Sequence, residues 1–251
     1  GLGDVYKRQD KTLPEYRKRF GDVLVFSKSE IAKTFDEGDN FGDRRAIIYA
    51  RNACFELAQQ IGATHFIELD DDYTYFKFRF DDQLRWHGAD VQDLDAVFDM
   101  LLDYFNSAPM LTLAIGQGGD YIGGEKATRF NDGIQPMRKA MNSFICSVDR
   151  PFQFVGRINE DVNTYVLLGS RGGVFLSILQ IGLDQLETQS NSGGMTELYL
   201  DAGTYVKSFY TVMYCPSCVV VSAMGTAHRR LHHHIKWRYA VPKILRESVK
   251  K

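Results

Sequence analysis

The sequence has few cysteines for its length and no long hydrophobic run. Its four cysteines among 251 residues are too few for a disulfide scaffold, which predicts a reducing, cytoplasmic environment. No apolar stretch approaches the ~20 residues that cross a bilayer, and the N-terminal residues lack the pattern of a signal peptide. These absences predict a cytoplasmic protein with no membrane partner.

The chain also lacks an excess of charge of one sign, repeats and low-complexity linkers. Its formal net charge of -2 and hydrophobic content of 44% are ordinary for a globular protein, so composition alone requires no nucleic acid partner. The first nine residues, "GLGDVYKRQ", resemble a read-end artefact of translated metagenomic assemblies, and we set them aside. We therefore expect one domain over residues 10–251, and loss of a first native strand is the accompanying hypothesis.

Apolar runs of strand length alternate with helical patterns along the chain. Helical spacing covers residues 43–62 and 90–108. The first helix is expected to carry an apolar stripe of Ile47, Ala50, Cys54, Leu57 and Ile61, with Asp43 as its cap and Gly62 at its end. The second has Leu94, Val97, Leu101 and Phe105 on one face. Strand-like runs lie at residues 21–26, 64–69, 73–80, 110–116, 174–182 and 217–225.

The run "THFIEL" at residues 64–69 is apolar on both faces, which is typical of a central parallel strand. A helix that leads into such a strand is half of a doubly wound unit. The sequence therefore predicts an α/β fold with a mostly parallel, Rossmann-like central sheet and flanking helices.

Three aspartates, Asp70, Asp71 and Asp72, follow this strand directly. On an extended chain Asp70 and Asp72 point to the same side, and two carboxylates repel unless a cation lies between them. Hard divalent ions such as Mg²⁺ and Mn²⁺ take carboxylate oxygens together with water and substrate phosphates. The triplet indicates a metal site at a strand end, although a solvated turn is the simpler alternative.

The stretch "ARNACFELAQQIGATHFIELDDD" (Ala50–Asp72) resembles glycosyltransferases of the GT-A fold. This resemblance implies that Asp70 and Asp72 bind Mn²⁺ or Mg²⁺ on the diphosphate of a nucleotide sugar, such as a UDP-sugar. On the same resemblance we assign Arg51, Asn52 and Asp71 to donor binding. The cation would act as a Lewis acid on the departing diphosphate.

Two acids in "INEDV", Glu160 and Asp161, resemble the catalytic-base motif of inverting members of this fold. A carboxylate on the acceptor side is needed to deprotonate the attacking hydroxyl. Asp161 is our candidate for the base, with Glu160 beside it. The alternative is a helix start capped by Asn159, where acids are favoured by the helix dipole.

Two weaker candidates complete the site. The loop "GQGGDYIGG" offers Gly118 and Gly119 for close backbone approach to the donor, although an ordinary connection is equally compatible. Members of the GT-A fold often use a late histidine as a metal ligand. The segment "GTAHRRLHHHIKW" contains His228, His232, His233 and His234, and we favour His232 or His233.

Later blocks, "GGMTELYLDAGTYVKSFYTVMYCPSCV" and "HHHIKWRYAVPKIL", resemble the TET-associated glycosyltransferases of phages. The resemblance implies a hydroxymethylated pyrimidine in DNA as acceptor. Residues 226–251 contain eight Lys or Arg and one acid, which suits phosphate contacts. The same charges could neutralise a diphosphate, or belong to a solvated helix with Trp237, Val241 and Leu245 on one stripe.

Three rival interpretations stay open. A nucleotidyltransferase would use the same carboxylates and metal. A zinc or nucleic-acid binding module could be formed by Cys215, Cys218, His228 and His232. A catalytically inactive nucleic-acid-binding domain is the third.

Overall fold

A computed structural model describes residues 3–5, 13–21, 23–39, 42, 44–70, 72–83, 85–121, 124–126, 133–141, 143–185, 206–224 and 230–244. The strands are β1 (Gly3–Val5), β2 (Val25–Ser27), β3 (His65–Leu69), β4 (Tyr73–Phe80), β5 (Trp86–Asp90), β6 (Thr112–Gln117), β7 (Ile134–Gln135), β8 (Ser143–Ser147), β9 (Phe175–Gln185), β10 (Val219–Met224) and β11 (Arg230–Ile235). The helices are α1 (Leu13–Phe20), α2 (Lys28–Ile31), α3 (Ile48–Gln60), α4 (Leu94–Ser107), α5 (Glu160–Ser170), α6 (Val206–Tyr214) and α7 (Trp237–Ala240).

The central sheet has the strand order β3-β8-β6-β9-β4-β5, with β7 added to β9. Within it β6 and β9 pair in parallel, and the other described pairs are antiparallel. Two small sheets accompany it: β1 pairs in parallel with β2, and β10 pairs antiparallel with β11. The α/β class is thus confirmed, whereas the predicted mostly parallel sheet is not: the described sheet is mixed.

Hydrophobic cores cover both faces of the central sheet. Along β8, Phe144 and Cys146 belong to the core shared with α3 and α5, whereas Ile145 between them belongs to the core shared with α4. This alternation follows from the two-residue repeat of a strand. The sheet therefore lies between two helical layers.

The strand β3 was predicted to be central, and this prediction is wrong. It pairs antiparallel with β8 and is the last strand on its side of the described sheet. Its apolar character has another cause. Phe66 packs edge-on against Phe55 on one face, with ring centres 4.9 Å apart, and Ile67 packs into the α4 core on the other. An edge strand covered on both faces has the same sequence pattern as a central one.

The helix α3 differs in detail from its prediction. It begins at Ile48, with Ile47 in the N-cap position, and the predicted cap Asp43 lies outside the described residues. Cys54 and Leu57 of the expected stripe are buried, whereas Ile47 and Ile61 at its ends are 41% and 62% exposed and Ile48 is fully buried. Gly62, at φ 71°, ends the helix as predicted.

The helix α4 matches its prediction closely. Val97, Leu101 and Phe105 are buried on one face. Its cap is Asp93, whose side chain accepts a hydrogen bond from the backbone N–H of Ala96 at 2.9 Å.

Residues 237–244, the described part of the C-terminal segment, do not form the continuous helix considered from the sequence. The described helix there, α7, ends at Ala240, and Val241 is extended, as expected for the residue before Pro242. Leu245 lies outside the described residues, as do Asp71 and His228. None of the helices that the structure describes is long and apolar enough to span a bilayer. The cytoplasmic location stays a prediction.

Candidate functional site

One arginine connects the end of β3 to the start of α5. The guanidinium of Arg51, on α3, donates a hydrogen bond to Asp70 Oδ1 at 3.1 Å and lies 3.5 Å from Glu160 Oε1. Only 4% of Arg51 is exposed, and its guanidinium carbon lies 4.8 Å from the centre of the Phe144 ring. Because Asp70 follows β3 and Glu160 begins α5, this side chain joins two segments that are distant in sequence.

Asn52, which follows Arg51 in the sequence, is hydrogen-bonded to the segment that leads into α5. Its Nδ2 donates to the carbonyl of Phe154 at 3.0 Å, and its Oδ1 accepts from the N–H of Phe154 at 2.8 Å. Both backbone groups of Phe154 are thereby satisfied. Arg51 and Asn52 thus support the two acidic segments, and their assignment to donor binding stays a prediction.

The carboxyl groups around Arg51 shift one another's pKa values. We name the group the Arg51 cluster: Arg51, Glu68, Asp70, Glu160 and Asp161. Burial opposes the charge of Arg51, but Glu160, Asp70, Glu68 and Asp161 outweigh it and raise the arginine's pKa. Burial raises the pKa of Glu68 to about 8 and that of Glu160 to about 7, although Arg51 opposes both shifts.

Asp70, Asp72 and Asp161 lie close enough to interact electrostatically. Burial raises the pKa of Asp70, Arg51 opposes this, and the charges of Asp72 and Asp161 raise it further. The three acids thus repel one another electrostatically, and a bound cation would reduce that repulsion.

The residue before α5 has a strained backbone. Asn159 has φ 60° and ψ 37°, and it is the one non-glycine residue at positive φ among those described. Its side chain does not cap α5, so that part of the cap interpretation is wrong. Instead, its Nδ2 donates to Thr211 Oγ1 of α6 at 2.5 Å. Such a conformation costs about 1–3 kcal/mol and persists where the surroundings hold it.

A buried polar network holds this turn in place. Asn163 is fully buried; its Nδ2 donates to the carbonyls of Val155 and Ile158, and its Oδ1 accepts from Thr211 Oγ1 at 2.9 Å. The sequence analysis missed Asn163 and Thr211. A polar pair at Asn163 and Thr164 inside an apolar helical pattern was the available signal, because buried amides need partners.

The two predicted catalytic acids have different surroundings. Glu160 is 6% exposed and its carboxylate faces Arg51. Asp161 is half-buried in the first turn of α5, where its Oδ1 accepts from the N–H of Val162 at 2.7 Å. Asp161 is therefore the more accessible acid, and the catalytic roles of both stay predictions.

Comparison with protein families matches residues 5–194 to the TET-associated glycosyltransferases. The chain belongs to this family. The match covers more than half of the sequence and includes Arg51, Asp70, Asp72 and Asp161, whereas α6 and the β10–β11 pair lie beyond it. No curated protein and no solved structure matches the chain. Membership confirms the resemblance seen in the sequence and implies glycosyltransferase activity, for which the donor would be a nucleotide sugar.

A TET-associated glycosyltransferase with this acidic site has suitable ligands for a hard divalent ion. Asp70 and Asp72 supply carboxylates, and Mg²⁺ or Mn²⁺ is often held by one or two of these plus water and phosphates. The guanidinium of Arg51 donates a hydrogen bond to one of the two carboxylate oxygens of Asp70. Within the described ranges, no three His, Cys, Asp or Glu residues are grouped to hold a metal ion. The residues thus fit an ion bound by Asp70, Asp72 and ligands from the substrate.

The candidate histidine ligands lie in basic surroundings. His233 is 5% exposed, and its ring stacks on that of His232 with centres 4.3 Å apart. Burial, together with the smaller effects of His232, Lys139 and Lys207, lowers the pKa of His233 to about 3. A divalent cation is disfavoured there, and the assignment of His232 and His233 as metal ligands stays a prediction.

The predicted donor-loop glycines are exposed. An added Cβ on Gly118 or Gly119 would have no atom within 4 Å, so packing within the chain does not require either glycine. Gly116 is different, because its Cβ would lie 2.2 Å from the hydroxyl of Tyr121. That hydroxyl is within hydrogen-bonding distance of the carbonyls of Leu179 and Ile181. Contact of Gly118 and Gly119 with a donor stays a prediction.

The "CPSC" segment forms a turn between α6 and β10, and its two cysteines are buried. Cys215 and Cys218 are 6% and 2% exposed, and the thiol of Cys218 donates to the carbonyl of Tyr239 at 3.3 Å. Both cysteines belong to the core shared with α3 and α5. Packing thus accounts for this pair in the described structure.

Proposed function

We propose that this TET-associated glycosyltransferase is a metal-dependent, inverting enzyme. It would move a sugar from a nucleotide sugar, such as a UDP-sugar, to the hydroxyl of a hydroxymethylated pyrimidine in DNA. The observation that supports this best is the contact of Arg51 with both Asp70 and Glu160. That contact brings the acidic end of β3 next to the first turn of α5, which carries Asp161.

The two sides of the site have separate tasks in this mechanism. Asp70 and Asp72 would hold Mn²⁺ or Mg²⁺, which when bound would neutralise charge on the departing diphosphate. Asp161 accepts the proton of the acceptor hydroxyl as its oxygen attacks the anomeric carbon. Glu160, buried against Arg51, positions Asp161 rather than contacting the substrate.

The choice of Asp161 over Glu160 as base follows from access. A general base must come within hydrogen-bonding distance of the proton that it accepts. Glu160 is 6% exposed, whereas Asp161 is half-buried. The adjacent Asn159 is held in a strained conformation by Thr211, which restricts the direction of the first turn of α5.

The DNA acceptor is supported by basic residues near the C-terminus. The described part of this segment contains Arg230, Lys236, Arg238 and Lys243. Lysine and arginine contacts to phosphates supply most sequence-independent affinity for DNA.

Thermal stabilisation by a panel of nucleotide sugars, with and without Mn²⁺, tests the donor and the metal. We expect wild type to be stabilised by one donor in a Mn²⁺-dependent manner, and Asp70→Ala to lose that stabilisation. Asp161→Asn should keep binding and lose turnover. Asp82→Ala removes an exposed carboxylate elsewhere and serves as the matched control. Equal Mn²⁺-dependent binding by wild type and Asp70→Ala would remove the metal-site proposal.

The products distinguish sugar transfer from nucleotidyl transfer. Incubation of the donor with hydroxymethylated DNA should release a nucleoside diphosphate and add a sugar to the DNA. In a parallel incubation with a nucleoside triphosphate, release of pyrophosphate would instead favour the nucleotidyltransferase alternative. Unmodified DNA is the acceptor control, because it lacks the hydroxymethyl group.

A further inference from the structure

A buried threonine of α6 lies between two asparagines at the start of α5, the helix that carries Asp161. The Oγ1 atom of Thr211 accepts a hydrogen bond from Asn159 Nδ2 at 2.5 Å and donates one to Asn163 Oδ1 at 2.9 Å. Thr211 and Asn163 are both fully buried. We name the group the Thr211 relay: Asn159, Thr211 and Asn163. One hydroxyl thus joins the residue before α5 to a residue within that helix.

The direction of each hydrogen bond in the Thr211 relay is fixed. The Nδ2 atom of Asn163 donates both of its hydrogens, to the carbonyls of Val155 and Ile158 at 3.1 and 2.9 Å. Its Oδ1 can only accept, so the hydroxyl of Thr211 must be the donor in their contact. The oxygen of that hydroxyl is then available to accept from Asn159. Removal of the hydroxyl would therefore leave both asparagines without a partner.

The Thr211 relay stabilises an unfavourable backbone conformation. At φ 60° and ψ 37°, Asn159 is in the left-handed region, which residues with a Cβ adopt only where local contacts support it. Its side-chain contact with Thr211 is such a support. Without it, a return of Asn159 to negative φ would redirect the chain as it enters α5. Glu160 and Asp161 are the next two residues, so their side chains would move with it.

Other contacts hold the preceding part of this turn. The N–H of Gly156 donates to the carbonyl of Asp36 at 2.8 Å, and the N–H of Arg157 donates to the carbonyl of Glu37 at 2.7 Å. Neither contact involves the Thr211 relay. Loss of the relay hydroxyl should therefore displace the start of α5 without releasing the whole segment.

We propose that Thr211 is a positioning residue for the base Asp161. It holds the first turn of α5 so that this carboxylate points at the acceptor hydroxyl, and it does not touch the substrate. A base must lie within hydrogen-bonding distance of the proton that it accepts, and a displacement of about 1 Å can cost about 100-fold in rate. The inference rests on the proposed role of Asp161. It also assigns part of the catalytic geometry to α6, which lies beyond the family match.

Replacement of the hydroxyl by a methyl group tests the inference. Thr211→Val keeps the shape of the side chain, and we expect its kcat for sugar transfer to fall by about 10- to 100-fold with KM for the nucleotide sugar unchanged. Thr211→Ser keeps the hydroxyl and should retain most of the activity. Unchanged kcat in Thr211→Val, or equal losses in the two variants, would overturn the inference.

A buried threonine in the central sheet provides the matched control. Thr112 is also fully buried, and its Oγ1 donates to the carbonyl of Ile145 at 2.8 Å. Thr112→Val and Thr211→Val should both lower the melting temperature, since each leaves a buried polar group without its partner. Only Thr211→Val should lose kcat. Similar losses of kcat in both would assign the effect to stability and refute the positioning role.

Variants of Asn159 test the same conformation without changing the buried threonine. Glycine adopts positive φ without strain, whereas alanine does not. Asn159→Ala should therefore lose kcat as Thr211→Val does, and Asn159→Gly should retain more of it. Equal activity of the alanine and glycine variants would contradict the inference.

Asp161→Asn separates this inference from the proposed function. If Asp161→Asn loses turnover while Thr211→Val keeps its kcat, the positioning role is wrong and the base assignment stands. Turnover by Asp161→Asn at the rate of wild type would remove the base, and the positioning role with it. Absence of sugar transfer by wild type would have the same consequence for both.

Discussion

Arg51 and His233 are both buried, ionisable side chains, but their charges are balanced differently. Arg51 has acidic partners at 3.1 and 3.5 Å, whereas His233 has basic neighbours and no hydrogen-bond partner in the described structure. Within a fold, paired buried charges support one another, and an unpaired polar group lowers stability. The comparison predicts that Arg51 stabilises the fold, whereas the unbonded ring of His233 does not.

Replacement of Arg51 should have the largest effect. Arg51→Ala leaves Asp70 and Glu160 without their buried partner, so the free energy of unfolding should fall by about 3–5 kcal/mol. Chemical denaturation measures this. Arg85→Ala breaks an exposed pair with Asp81 and should leave stability unchanged within error. Equal losses in the two variants would show that burial of the Arg51 cluster has no energetic role.

The pH dependence of stability should come next in size. Burial raises the pKa of Glu160 to about 7, above its ordinary value of 4.5. The folded state therefore holds this proton more tightly, and the associated stability is present below about pH 4.5 and lost as pH rises through about 7. Between pH 5 and pH 8, the free energy of unfolding of wild type, measured by denaturation, should fall by about 1–3 kcal/mol more than that of Glu160→Gln. Glu56→Gln, at an exposed helix position, is the control, and its free energy of unfolding should fall by as much as that of wild type.

Removal of His233 should have the smallest effect and the opposite sign. His233→Leu replaces an unbonded buried ring with an apolar side chain, so the free energy of unfolding should rise by about 1 kcal/mol. The control His65→Leu should lower it, because both ring nitrogens of His65 lie 3.0 Å from polar partners, Thr64 and Asn106. A lower stability of His233→Leu in denaturation would contradict the view that the unbonded ring does not stabilise the fold.

Local sequence patterns predicted the elements that depend on near neighbours. The apolar repeat of Val97, Leu101 and Phe105 predicted α4. Gly62 predicted the end of α3, and the acidic run was correctly predicted to follow β3. The later blocks at residues 193–219 and 232–245 predicted the family, whose match covers residues 5–194. Each of these depends on spacing along the chain, which a sequence displays directly.

Strand order and the partners of buried polar groups could not be obtained in this way. The run "THFIEL" has the same apolar pattern at the edge of the sheet as it would have at the centre, because cores cover both of its faces. The sequence did not show that Arg51 contacts both Asp70 and Glu160, and its assignment to donor binding stays a prediction. The sequence by itself determined the α/β class, the family and the acidic residues of the site. Only the tertiary structure decided which charges are paired, because pairing depends on contacts between segments that are distant in sequence.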